Sequence, residues 1–266
     1  MLDPFNRSIT YLRISVTDRC NLRCMYCMPA DGIKLMRHED ILSYEKITET
    51  VRTLIPFGVQ KIRFTGGEPL VRKGFEKLVK MVADIEGIED ISITTNGIFL
   101  AEKAQQLADN GLNRVNISLD TLDPEKFKKL TRGGDLSKVL KGFKAAKKAG
   151  LNPVKINCVK TADFDPEEQA DLKYFCIEND LQLRYIRQMN LSDGEFWQVE
   201  GGEGGNCKAC NRIRLMANGD FKNCLFGEQA FNLRELGIIP AFEQAIASKP
   251  LCGSMNTKNE FYNIGG

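Results

Sequence analysis

Three thiols fall within one short run, Cys20-Asn-Leu-Arg-Cys24-Met-Tyr-Cys27. Three thiolates on one loop can ligate three irons of a 4Fe–4S cluster and leave the fourth iron without a protein ligand. An open iron implies chemistry at the cluster, because a cluster that only carries electrons is served by four protein ligands. A zinc site or three unrelated core cysteines is the competing reading, but structural zinc takes four ligands. A second group, Cys207-Lys-Ala-Cys210, is followed by Cys224 after Arg212, Ile213 and Arg214. It suits a second cluster whose open iron faces the two arginines. With Cys252 as a fourth ligand it suits a closed cluster or tetrahedral zinc, and spacing alone leaves these open. Cys158 and Cys176 occupy apolar faces of their segments and read as inert core thiols.

Length and composition frame that chemistry. At 266 residues the chain can bury a large core, and 37 Lys plus Arg nearly balance 35 Asp plus Glu. That balance gives no reason to expect a nucleic-acid or membrane partner. No apolar run has the length of a membrane span, and the opening MLDPFNRS lacks the apolar centre of a signal peptide. A soluble cytoplasmic protein is expected, in which nine cysteines serve as ligands and core thiols rather than disulfides. The one histidine, His38, lies among charged residues and reads as surface, so acid–base catalysis is not the main strategy.

The elements that must position these residues alternate. Strands are expected over 11–17, 60–65, 90–95, 114–119, 153–160 and 182–186, with helices over 43–55, 72–85, 101–110, 124–130, 137–149 and 166–179. Ser43 and Asp165-Pro166 are helix starts, and Gly111 and Gly150 helix stops. The fold class is therefore α/β: an incomplete (β/α)6 barrel over 1–190, with a small C-terminal cluster-bearing region over 191–266. The cysteine run, Gly66-Gly67-Glu68-Pro69, Thr95-Asn96-Gly97 and Ser118-Leu119-Asp120 each follow a strand, so they should converge on the barrel mouth. In the tail, a glycine stretch at 201–205 reads as flexible, and 212–226 reads as a hairpin turning at Ala217-Asn218-Gly219-Asp220.

Strand faces alternate sharply. Leu12, Ile14 and Val16 oppose Arg13, Ser15 and Thr17, and the same holds for Ile62 and Phe64 against Lys61, Arg63 and Thr65. The apolar set must face the outer helices, so Arg13, Lys61, Arg63, Lys155 and Arg184 point inward. Glu68 and Asp120 are the obvious inward carboxylates, too few to pair five cations. A polyphosphate is the fitting guest.

YLRISVTDRCNLRCMYCMP, KIRFTGGEPLVR, TTNG, NISLD, CKACNRIRL, CLF and the terminal Gly265-Gly266 together resemble the molybdenum-cofactor GTP 3′,8-cyclases, a family of two-cluster radical S-adenosylmethionine (SAM) enzymes. The resemblance implies a lyase that removes hydrogen from C3′ of GTP with a 5′-deoxyadenosyl radical. The sugar radical then attacks C8, giving 3′,8-cyclo-7,8-dihydro-GTP for molybdenum cofactor biosynthesis. It implies two 4Fe–4S clusters, on Cys20, Cys24 and Cys27 and on Cys207, Cys210 and Cys224. It assigns SAM to Tyr26, Gly67, Ser118 and Met189, and GTP to Arg13, Arg63, Thr94, Lys155, Arg212, Ile213 and Arg214. Lys61, Arg184, Gly265 and Gly266 are further candidates. An electron donor such as a flavodoxin or ferredoxin and a downstream pterin synthase are the implied partners. This chain is shorter than the family's usual length between Met189 and Cys207.

Two other functions compete. One is a radical SAM enzyme that modifies peptides, which would not need Lys61, Arg63 and Lys155 together. The other is a non-enzymatic Fe–S or zinc protein binding nucleotides or RNA, which would not cleave SAM.

Overall fold

The structure, a computed structural model, describes residues 1–161, 165–189, 197–253 and 255–257. Strands β1 (Tyr11–Ser15), β2 (Lys61–Thr65), β3 (Asp90–Thr95), β4 (Arg114–Ser118), β5 (Val154–Lys160) and β6 (Gln182–Arg187) pair in parallel, each with the next. Parallel neighbours need a crossover, here supplied by α1 (Tyr44–Leu54), α2 (Phe75–Ala83), α3 (Leu100–Asp109), α4 (Pro124–Thr131), α5 (Leu136–Lys148) and α6 (Pro166–Glu178). Ser43 caps α1 by accepting from the Lys46 amide at 3.1 Å, and Asp165 accepts from Glu167 at 3.0 Å to start α6.

The apolar strand faces form the main core with the helices. Leu12, Ile14, Ile62, Phe64, Val115 and Ile156 are all wholly buried, together with Ile47, Val51, Leu78 and Val82 on the helices around them. Cys158 and Cys176 lie in the same core, as their neighbours predict.

The sheet does not end at β1. β7 (Arg212–Leu215) pairs with it in parallel, and β8 (Asp220–Lys222) and β9 (Phe231–Asn232) continue antiparallel, giving the order β6-β5-β4-β3-β2-β1-β7-β8-β9. The β7–β8 connection is the expected hairpin, with Met216 donating to Asp220 at 2.8 Å and Gly219 at a φ of 96°. α7 (Leu233–Leu236) and α8 (Ile238–Ala247) follow. Sequence reading places no helix over α8; it covers the added strands, packing Phe242 on Phe221 with ring centroids 5.7 Å apart.

Arg184 on β6 and Arg212 on β7 are electrostatic neighbours. Six strand spacings in a flat sheet would hold them about 29 Å apart, so the sheet is curled into a partial barrel with its polar face inside. The glycine stretch is built rather than loose. Val199 donates to Gly204 at 2.8 Å, Tyr185 and Glu200 exchange main-chain bonds, and a Cβ on Gly201 would meet the Leu183 carbonyl at 2.5 Å. It lines the β6 edge of the opening because only glycine lets it lie that close. Among the described residues no helix is long and apolar enough to cross a membrane.

Candidate active site

At the carboxyl end of β1 the chain enters the cysteine run. The Cys27 and Met28 amides both bond the Cys24 carbonyl, at 2.9 and 3.0 Å, which folds the run into a tight turn. The Gly66-Gly67-Glu68 segment lies directly behind it. Gly67 donates to Thr17 at 2.7 Å and Glu68 to Arg19 at 2.8 Å. A Cβ on Gly67 would sit 2.3 Å from the Arg19 carbonyl, and one on Gly66 2.4 Å from that of Thr17. The two glycines are thus what lets β2 hold the lead into the cysteines.

Glu68, 1% exposed, ties in the third strand. One carboxylate oxygen accepts from Leu70 N at 2.9 Å and the Thr95 hydroxyl at 2.8 Å, the other from Asn96 N at 2.7 Å. Burial nevertheless pushes its carboxyl up to about 7. From the fourth strand, Asp120 accepts from the Tyr26 hydroxyl at 2.7 Å and from Val159 N at 2.7 Å. Ser118 ends β4 on the inner face, and Thr94 lies one strand over with its hydroxyl oxygen buried and unpartnered among the described residues.

The thiols themselves resist ionising. Burial pushes Cys20 up to about 11, with Glu68 and Cys27 adding to it, and pushes Cys24 up to about 12, with Asp120, Cys27 and Cys20 adding. Three mutually repelling thiols that are hard to ionise alone fit a polycationic guest, because metal binding drives their deprotonation. Among the described residues no three Cys, His, Asp or Glu side chains converge as ligands of a single ion would. A cubane spreads its three thiolates wider than one ion does, and three thiols on one tight turn are the donor type it takes.

Below this end the inner face is a field of cations. Arg214, Arg13, Arg63, Ser92 and Arg114 share one register row across β7, β1, β2, β3 and β4. Neighbouring Cβ atoms in such a row lie about 5 Å apart, where like charges repel. Burial holds Arg63 and Arg214 down to about 10, and in each case other arginines add to the effect. Arg13 is lowered well below its ordinary value, by burial and then by Arg214 and Arg63. Lys155 is held down to about 8 by burial, Arg184, Arg114 and Arg63. Tyr11 lies under two of these cations, 5.4 Å from Arg63 and 5.9 Å from Arg212. Asp90 accepts from Arg114 and is its ion-pair partner. Arg184 Nε and Asn116 Oδ1 are buried without a hydrogen-bond partner among the described residues.

The second cysteine group lies at the other end of the strands. Cys210 precedes β7, whose Arg212 is in register with Tyr11 at the start of β1, whereas Cys20 follows the end of β1. The strand run between them spans on the order of 20 Å, with the arginine row in between. Burial pushes Cys207 up to about 11 and Cys252 adds to this. Burial also acts upward on Cys210, but Lys249 and Arg212 outweigh it and lower that thiol.

Several expected residues fall elsewhere. Lys61 is exposed at the amino end of β2, two residues from Arg63, because the strand starts there. Ile213 is wholly buried in the outer core, since alternation turns it away from Arg212 and Arg214. Met189 packs on Phe226 beside Cys224 and Leu225, on the side of the tail cysteines. Gly265 and Gly266 lie outside the described residues. His38 is exposed, as read from its neighbours. Arg114 and Tyr11 were missed; continuing the strand alternation one residue toward each amino end would have found both.

A family model described as the Radical SAM superfamily matches residues 14–174. The GTP 3′,8-cyclase of Peptoclostridium acidaminophilum is 40% identical over 319 aligned positions, taking in 100% of this chain and 98% of that protein. The GTP 3′,8-cyclase of Syntrophomonas wolfei subsp. wolfei is 38% identical over 326 positions, with 100% of both covered. Both alignments exceed the 266 residues here, so these relatives are the longer proteins. Among solved structures, Streptococcus suis SuiB bound to S-adenosylmethionine matches with a TM-score of 0.64 at 20% identity, over 86% of this chain and 64% of that one. At that identity the likeness speaks for the fold.

Proposed function

The chain belongs to the radical SAM superfamily and, within it, to the GTP 3′,8-cyclases, and from that premise we propose that its barrel holds GTP between two Fe–S clusters and closes C3′ of the ribose onto C8 of guanine. The observation that carries the substrate is the register row Arg214, Arg13 and Arg63, three half-buried or buried guanidiniums side by side. A triphosphate matches such a row, because guanidinium forks fit phosphate oxygens.

When bound to Cys20, Cys24 and Cys27, a 4Fe–4S cluster with SAM supplies a 5′-deoxyadenosyl radical. The chain's own residues do the positioning. Gly66 and Gly67 bring β2 against the cysteine run, Glu68 and Asp120 lock the third and fourth strand ends onto it, and Tyr26, Gly67 and Ser118 line the place for SAM. Arg13, Arg63, Lys155 and Arg214 hold the triphosphate, with Thr94 offering its unpartnered hydroxyl. Cys207, Cys210 and Cys224 would hold the second cluster, which would supply a Lewis-acidic site for the guanine end of the nucleotide, with Arg212 and Arg214 following on β7. Outer helices and the strap at 197–205 keep water from the radical. The enzyme works in the reducing cytoplasm, draws electrons from a flavodoxin or ferredoxin, and passes its product to a pterin synthase.

The test is anaerobic incubation of the reduced, reconstituted protein with SAM, with and without GTP, read by mass spectrometry. A GTP-dependent rise in 5′-deoxyadenosine together with an isomer of GTP is expected, and Cys24→Ala abolishes both. SAM cleavage indifferent to GTP would overturn the substrate assignment and favour a peptide substrate.

A further inference from the structure

The first cysteine run has a face toward solvent. Cys20, Cys24 and Cys27 are half-buried, whereas Arg19, Arg23 and Met25 beside them are exposed, Met25 to 52%. The residues that would hold a cluster therefore reach the surface themselves, and an electron arriving there has little protein to cross.

The end of α4 is sewn to this run. Arg23 N donates to the Thr131 carbonyl at 3.2 Å and Met25 N to that of Leu130 at 2.9 Å. Arg132 returns the contact, its guanidinium donating to the Arg23 and Met28 carbonyls, both at 2.8 Å. It does so from a φ of 54°, at the helix end where glycine is the usual residue. A side chain held in that region costs free energy. What it secures is the last turn of α4, with exposed Lys128 and Lys129, against the cysteine run.

The charge there has one sign. Residues 19–25 and 128–132 hold Arg19, Arg23, Lys128, Lys129 and Arg132 and no carboxylate, in a chain whose charges otherwise nearly balance. All five cations are exposed. Asp135, the next acid along, is engaged in capping α5, accepting from Ser137 N at 2.9 Å.

We propose that this face, built from the cysteine run and the end of α4, is where an acidic one-electron carrier protein docks to reduce the cluster. It rests on the reading of Cys20, Cys24 and Cys27 as cluster ligands. Opposite charge steers the encounter and fixes its orientation. The buried arginine row lies inside the barrel, so carrier and nucleotide have separate cationic sites.

The test compares Lys128→Glu/Lys129→Glu with Lys144→Glu/Lys148→Glu, the same charge change on the exposed half of α5 that runs toward the start of β5. Reduced flavodoxin at low salt should reduce the cluster of the first variant about tenfold more slowly than that of the second, and high salt should erase the difference. With dithionite the two should agree within about twofold, since a small reductant needs no docking face. Carbodiimide, which joins lysine amines to carboxylates in contact, should link oxidised flavodoxin to Lys128 or Lys129 of the oxidised, cluster-loaded protein. Equal slowing of both variants, or cross-links confined to other lysines, would overturn the proposal. So would a wild type that dithionite reduces but neither flavodoxin nor ferredoxin does. A wild type in which dithionite reduces no cluster and drives no SAM cleavage would overturn the cluster reading itself, and the docking face with it.

Discussion

Arg13 stands in register between Arg63 on β2 and Arg214 on β7, so one guanidinium has another on each side along the same face of the sheet. Folding has gathered charges that repel: beyond the effect of burial, Arg214 and Arg63 both lower the affinity of Arg13 for its proton. Like charges side by side on one sheet face oppose folding, and a bound polyanion would offset that repulsion.

Arg13→Met should separate those two. Removing the central charge relieves both repulsions, and the nucleotide-free protein should melt at an equal or higher temperature, by about 2–4 °C for each kcal/mol relieved. GTP affinity should fall about 10–100-fold with the loss of a charge-assisted contact. Calorimetry and a GTP titration read the two effects. A clear drop in melting temperature would mean that the row is internally compensated.

Lys155 sets a pH dependence. Its ammonium, held down to about 8, is charged below that pH and neutral above it. GTP affinity should be full near pH 7 and weaken by about tenfold as the pH rises through 8 toward 9. Unfolded lysine titrates near 10.4, so between about 8 and 10.4 the unfolded chain binds the additional proton and this residue makes the nucleotide-free fold more stable as pH rises. Lys155→Met should flatten both trends. Affinity that rises with pH in the wild type would refute the assignment.

Gly67→Ala tests the cradle. Its Cβ would press on main-chain carbonyls of Arg19 and Asp18, at 2.3 and 2.8 Å, and must shift the lead into Cys20. Reconstitution should then load iron only into the tail site, as metal analysis and visible absorbance report. Gly150→Ala, at a φ of 79° with open space around it, strains the backbone far from the cysteines and should leave iron loading intact.

Glu68→Gln keeps shape but replaces one acceptor oxygen with a donor. Whichever way the amide points, one of the groups now bonded to the carboxylate, Leu70 N and Thr95 Oγ1 on one side or Asn96 N on the other, meets an N–H. The cost is about 1–3 kcal/mol, or a fall in melting temperature of about 2–10 °C. A neutral result in differential scanning calorimetry would show that the carboxyl is already protonated and donating.

Alternation and spacing made much of this legible. The six parallel strands, their helices and the polar inner face follow from local periodicity, because burial of one strand face is written into every second residue. The cap at Ser43 and the 212–226 hairpin are legible for the same local reason. α8 was missed because its Ile-Ile-Pro-Ala-Phe run has no polar face to mark a helical period.

The sequence by itself determined the radical-forming motif, the barrel class and a cationic interior, all properties of residues near one another in the chain. Tertiary structure alone decided that β7 joins β1, which puts Arg214 beside Arg13 and sends the two cysteine groups to opposite ends of the strands. It also decided that Arg7 clips residues 250–251 to Cys207 and brings Cys252 there. Pairing between segments some 200 residues apart depends on which edge of the curled sheet remains open, and no local pattern encodes that.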